Sequence, residues 1–157
     1  MIKRPGPRMG IDYGSVRIGV AVTDPSGQIV FPKTNVQVDK YGGHIIELIE
    51  IAEELDPIEI VIGYPKHLKG KSGASAKAAR ALAHELKADL DRPRICLFDE
   101  RLTTNLAHAD LAAQGIENRL RGDKVDQLAA AIILETSIDF EENTGKLPGE
   151  TVSRGKF

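Results

Sequence analysis

Apolar residues along this chain follow two different periods. Gly10-Ile11-Asp12-Tyr13-Gly14 and Ile18-Gly19-Val20-Ala21-Val22 are short β-prone runs separated by a glycine-containing turn, which predicts a hairpin. Asp24-Pro25-Ser26-Gly27 has the residue order of a type I turn and leads into a third antiparallel strand over residues 28–38. After Gly42-Gly43 the spacing lengthens: Ile45, Ile49, Ala52 and Leu55 recur every three or four residues, an amphipathic helix ended by Asp56-Pro57. Residues 58–63 read IEIVIG, a compact strand. A second helical stripe (Ala79, Leu82, Ala83, Leu86, Leu90) runs to Pro93, and Arg94 to Phe98 is a further strand. Two helices follow, from Thr104 to about Gln114 and from Val125 to about Phe140, the second with Leu128, Ala129, Ile132 and Ile133 turned inward. The predicted order is βββαβαβαα, an α/β fold with a five-stranded mixed sheet and helices packed against it. The folded domain is expected over 9–142, with a loose basic arm at 1–8 and a mobile polar tail at 143–157.

Length and charge narrow the function. The 157 residues suffice for one domain, which excludes most bilobal enzymes. The net charge of −2 offers no global attraction to polyanions, so a nucleic-acid partner has to be met by a local basic patch. No apolar run approaches the roughly 18–20 residues of a membrane helix, and the basic opening is not followed by a signal-peptide stretch. One cysteine, Cys96 in an apolar run, builds no disulfide framework and reads as core. A soluble, cytoplasmic protein with no membrane partner is expected.

The candidate chemistry lies in three acids. Asp12 stands inside the first strand between glycines, which would leave room for a ligand to approach the backbone; an Asp bonding its own turn amides is the plainer reading. Glu100, in Asp99-Glu100-Arg101, follows an apolar strand, where α/β sheets place ligands; a solvated strand end would look the same. Asp126 opens the last helix, where an acid also suits the helix dipole, and the alanines behind it allow that helix to lie close to the sheet. Brought together, three carboxylates repel strongly unless divalent cations fill the gap. An all-oxygen set without a Cys/His cluster points to Mg²⁺, with Mn²⁺ as the substitute, rather than Zn²⁺. The histidines at 44, 67, 84 and 108 show no metal spacing.

The segments MGIDYGSVRIGVAV, IVIGYP, FDERLTT and KVDQLAAAIIL, in that order, resemble the YqgF family of RNase H-like proteins, described as Holliday junction resolvases and as nucleases of pre-16S rRNA. The resemblance runs from about Met9 to Asp139. It implies an RNase H-like fold and a metal-dependent nuclease whose first-strand, central and last-helix acids are Asp12, Glu100 and Asp126, serving as catalytic residues and metal ligands. Relatives with four acids exist, so three hold a second metal less firmly, with Asp99 or Asp123 as possible helpers. Basic residues near these acids, namely Arg17, Lys66, Lys69, Lys71, Arg101, Arg119, Arg121 and Lys124, are expected to meet the phosphate backbone of structured RNA or branched DNA. Each basic run alone would pass for solvated surface. Few aromatics and no Trp argue for recognition of backbone shape rather than base stacking. Monomer and homodimer both remain open.

Three other readings compete. Gly70-Lys71-Ser72 resembles the end of a P-loop, but the glycine required five positions earlier is Pro65. Asp12-Tyr13-Gly14 is similar to the phosphate-binding start of actin-like kinases, which join two such domains. A non-catalytic RNase H-like module that binds nucleic acid or protein is the stronger rival, although clustered acids do not help a surface that only binds phosphates.

Overall fold

The structure, a computed structural model, describes residues 4–64, 71–99 and 122–153. The strands are β1 (Arg8–Asp12), β2 (Arg17–Thr23), β3 (Val30–Gln37), β4 (Glu59–Tyr64), β5 (Arg94–Asp99) and β6 (Glu150–Thr151). The helices are α1 (Gly43–Leu55), α2 (Lys71–Asp89) and a long last helix, α3 (Gly122–Thr144). One sheet of order β3-β2-β1-β4-β5-β6 runs through the molecule. The β1–β2 and β2–β3 pairs are antiparallel, β1–β4 and β4–β5 parallel, and β5–β6 antiparallel.

Period-two alternation divides the strands between two cores. Met9, Ile11, Ile18, Val20, Ile60, Ile62, Ile95 and Leu97 face Leu48 and Ala52 of α1 and Leu82, Ala83 and Leu86 of α2. On the other face Ala21, Val61, Cys96 and Phe98 pack under α3, against Ala130, Ala131, Ile133, Leu134 and Ile138. Phe98 meets Phe140 edge to face, with centroids 6.2 Å apart. Cys96 is fully buried, and that burial pushes its thiol up to about 12. It is a core residue, as expected. Helix α1 stops where Asp56 turns left-handed (φ 50°) and its N–H bonds the Ala52 carbonyl, one residue before Pro57.

Four expectations need correction. The sheet has six strands rather than five, because Glu150–Thr151, assigned to a mobile tail, pairs with β5 opposite Cys96 and Leu97. Val152 is then buried in the core. The described part of the basic arm, residues 4–8, is not loose either. Arg4 donates from Nε and Nη2 to Glu141 (2.8 and 2.5 Å) and from Nη2 to Glu59 (3.1 Å), and Arg94 reaches Glu59 at 2.7 Å. Arg8, 1% exposed, opens β1 and lies 3.8 Å from Glu141. Three arginines and two glutamates thus offset one another at one end of the sheet, as buried ions must. The first strand starts at Arg8 and ends at Asp12, two residues earlier than the apolar run suggested. Finally, α3 buries Ala130, Ala131, Ile133 and Leu134, about one position on from the stripe expected, while Leu128, Ala129 and Ile132 are half-buried. The helix expected at 104–114 lies outside the described residues.

Candidate active site

Asp12 closes β1, at the end of the sheet away from the Arg4–Glu141 cluster. Met9 and Ile11 point to the α1/α2 core, so alternation turns Gly10 and Asp12 to the α3 face. A Cβ added at Gly10 would stand 2.8 Å from the Leu134 Cβ and 2.9 Å from the Ala130 carbonyl oxygen. Gly10 therefore seats α3, and it does not hold open a ligand passage as the sequence suggested. At Gly14 the space of a Cβ is likewise taken, by the Arg17 carbonyl oxygen.

The cross-strand partner of Asp12 is Gly19. Where a side chain at Gly19 would begin, the backbone carbonyl of Asp126 already lies. The backbone of Asp126 is thus set directly over the residue opposite Asp12. Facing positions in an antiparallel pair have Cα atoms about 4.5–5.5 Å apart, so the two acids, 114 positions apart in sequence, share one small region of one face. Of the three acids singled out in the sequence, these are the two that the described residues bring together.

Arg17 lies two residues before Gly19 on β2, hence on the same face. Its Nε donates to Oδ2 of Asp126 at 3.0 Å, with the two side chains 41% and 27% exposed. The sequence assigned Arg17 to substrate; in the structure it neutralises one of the proposed metal ligands. Nothing in the spacing of Arg17 and Asp126 announced that pair, because it depends on how α3 docks. The glycines beneath it did carry a signal. Gly10 and Gly19 fall on alternate positions of facing strands, the pattern of a backbone approached closely from one side.

Glu100, Arg101, Lys66, Lys69, Arg119 and Arg121 lie outside the described residues. Lys71 and Lys124 belong to the first turns of α2 and α3, and their side chains are likewise not described. Among the described residues no three His, Cys, Asp or Glu side chains form a metal-binding group. What is present fits a hard divalent ion: two oxygen-donor acids over a glycine floor, with a guanidinium on one of them marking a place that favours positive charge.

Residues 6–140 match the family described as RuvX, Holliday junction resolvase. The chain belongs to the RuvX family. Its curated relatives include a protein of Streptomyces avermitilis, 39% identical over 149 residues that make up 95% of this chain and 96% of the relative. One from a Nocardioides strain is 41% identical over 152 residues, 95% and 97% of the two chains. Both bear the provisional name of pre-16S rRNA nuclease. Among solved structures, Thermus thermophilus RuvC in complex with a Holliday junction superposes with a TM-score of 0.59 at 14% identity, covering 90% of this chain and 99% of that one. That likeness is one of fold, and it bears out the RNase H-like architecture. With RuvX membership the enzyme class expected from the sequence stands: a hydrolase acting on nucleic acid. No helix among the described residues is long and apolar enough to cross a membrane.

Proposed function

We propose that this RuvX protein is a divalent-metal-dependent endonuclease for structured nucleic acid, with Asp12, Glu100 and Asp126 as its catalytic acids. The observation that carries this reading is the seating of Asp126 over Gly19, opposite Asp12. A protein that only binds phosphates gains nothing from placing two carboxylates there. Glu100 is the third member; it stands two residues beyond Phe98, whose ring lies on the α3 face.

Mg²⁺, or Mn²⁺ in its place, would be held by these carboxylates and would supply charge for activating water and for steadying the departing oxygen. The chain's own residues do the rest. Asp126 is carried by a backbone set against Gly19, the cross-strand partner of Asp12, so the placing of the two acids follows from how the helix docks on the sheet. Arg101, Lys66, Lys69, Lys71, Arg119, Arg121 and Lys124 are the groups for the phosphate backbone. They offset the repulsion that an acidic centre and a net charge of −2 exert on a polyanion.

The names of the relatives favour pre-16S rRNA as substrate, and the family description favours a four-way DNA junction. The deciding experiment offers both to the purified chain with Mg²⁺ or Mn²⁺. Cutting should stop with EDTA and fall at least about 100-fold in Asp12→Asn, with an unchanged circular-dichroism spectrum. Undiminished cutting by Asp12→Asn would defeat the assignment. The better-cut substrate decides between RNA and DNA.

A further inference from the structure

The Arg17–Asp126 contact does more than tie a hairpin to a helix. It puts a monovalent cation on a carboxylate that the proposed function gives to a divalent one. Its geometry suits an exchangeable partner. Among the described residues only Nε of Arg17 engages Asp126, through Oδ2, so the fork of the guanidinium is not used for a bidentate grip. Both side chains are partly open to solvent, and an ion pair in such a setting is weak and easily screened. The buried carboxylates among the described residues differ: Glu59 and Glu141 are nearly buried and each is held by more than one arginine. Arg17 is also poorly placed as a mere strut, since α3 is already fixed on β1 and β2 by backbone and Leu134 contacts at Gly10 and Gly19.

We propose that Arg17 is a displaceable counter-ion, competing with the divalent metal for the Asp126 carboxylate. This rests on reading Asp12 and Asp126 as a metal centre. A divalent ion brings twice the charge and can draw on Asp12 as well, so it wins the carboxylate, but its affinity is reduced by what Arg17 holds. Arg17 thereby sets the metal concentration at which the site loads.

The test is Mn²⁺ binding to the full chain, followed by loss of the free-ion electron paramagnetic resonance signal, for wild type, Arg17→Gln and Asp126→Asn. Arg17→Gln should bind Mn²⁺ about two- to fivefold more tightly, the span an exposed ion pair covers. A strut that positioned Asp126 would give the opposite sign, so unchanged or weaker binding overturns the proposal. Asp126→Asn should bind much more weakly than wild type. If it binds equally well, Asp126 is no ligand and the underlying reading fails instead. A second measurement needs no variant: the Arg17 Nε–H resonance should move as Mg²⁺ is titrated, with the midpoint of binding, and should stay still in Asp126→Asn. A wild-type resonance that does not move while metal binds would also overturn the proposal.

Discussion

Glu141 shows at the scale of one residue how this small domain manages charge. It accepts two bonds from Arg4 and faces Arg8, and these hold its carboxyl below the usual range, the Arg4 bonds first and the arginine charges next. A carboxyl depressed in the folded state contributes stability that is present above its unfolded value of about 4.3 and lost as the pH falls through the folded value. Glu141→Gln should therefore be less stable at pH 7 by about 2 kcal/mol, with a lower urea midpoint. The gap to wild type should close as the pH is taken below about 4. Parallel urea curves at pH 7 and pH 3 check this; a constant gap would remove Glu141 from the acid response. None of this could be read in the sequence. Arg4 and Glu141 are 137 positions apart, and a basic opening stretch carries no mark of the acids that will neutralise it.

Among elements, the docking of α3 matters most. The seat at Gly10 and Gly19 has no room for a methyl group, and the obstructing atoms are largely backbone. Gly10→Ala should cost about 1–3 kcal/mol by overpacking. Gly19→Ala should cost as much and also lift Asp126 from its place opposite Asp12, so that metal affinity falls more than it does in Gly10→Ala. Thermal melts with Mn²⁺ titration of both variants separate the two effects. Here the sequence was informative. The alanines after Asp126 predicted a close approach, and the change from period two to period four marked most elements to within a few residues. The inward face of α3 was missed by about one position because the glycines, rather than the helix's own largest residues, select which turn sits deepest. Strand β6 was missed for a simpler reason: two polar residues, Glu150 and Thr151, show no apolar period.

For the whole molecule, that short strand protects the free edge of β5. Arg94 bonds Thr151 and Arg80 bonds Glu150, while Val152 plugs the core beside them. A chain ended after Pro148 should melt lower and expose the edge at Cys96, so its thiol should react with a disulfide reagent far faster than in the full chain. Equal reactivity would show that β6 does not guard that edge. The proposed binding to nucleic acid belongs to this scale too, since local basic groups would have to act on a chain whose net charge is −2. Replacing Lys66 and Lys69 by Glu should weaken RNA or junction binding and lower the slope of log affinity on log salt by about 0.7–0.9 for each phosphate left without its lysine. An unaltered slope would remove those two lysines from the phosphate contacts.

Helix α3 begins beside the proposed metal-binding carboxylates and, about 23 Å later at 1.5 Å per residue, presents Glu141 to Arg4. Arg4 is thereby moored at the pole remote from the proposed chemistry. Anything spliced upstream of Arg4, such as an affinity handle or a tether to a sensor chip, departs from the molecule's back. Immobilised that way, the protein would keep Asp12 and Asp126 turned toward the solution, leaving space there for the bulky folded RNA or four-armed DNA of the proposed function.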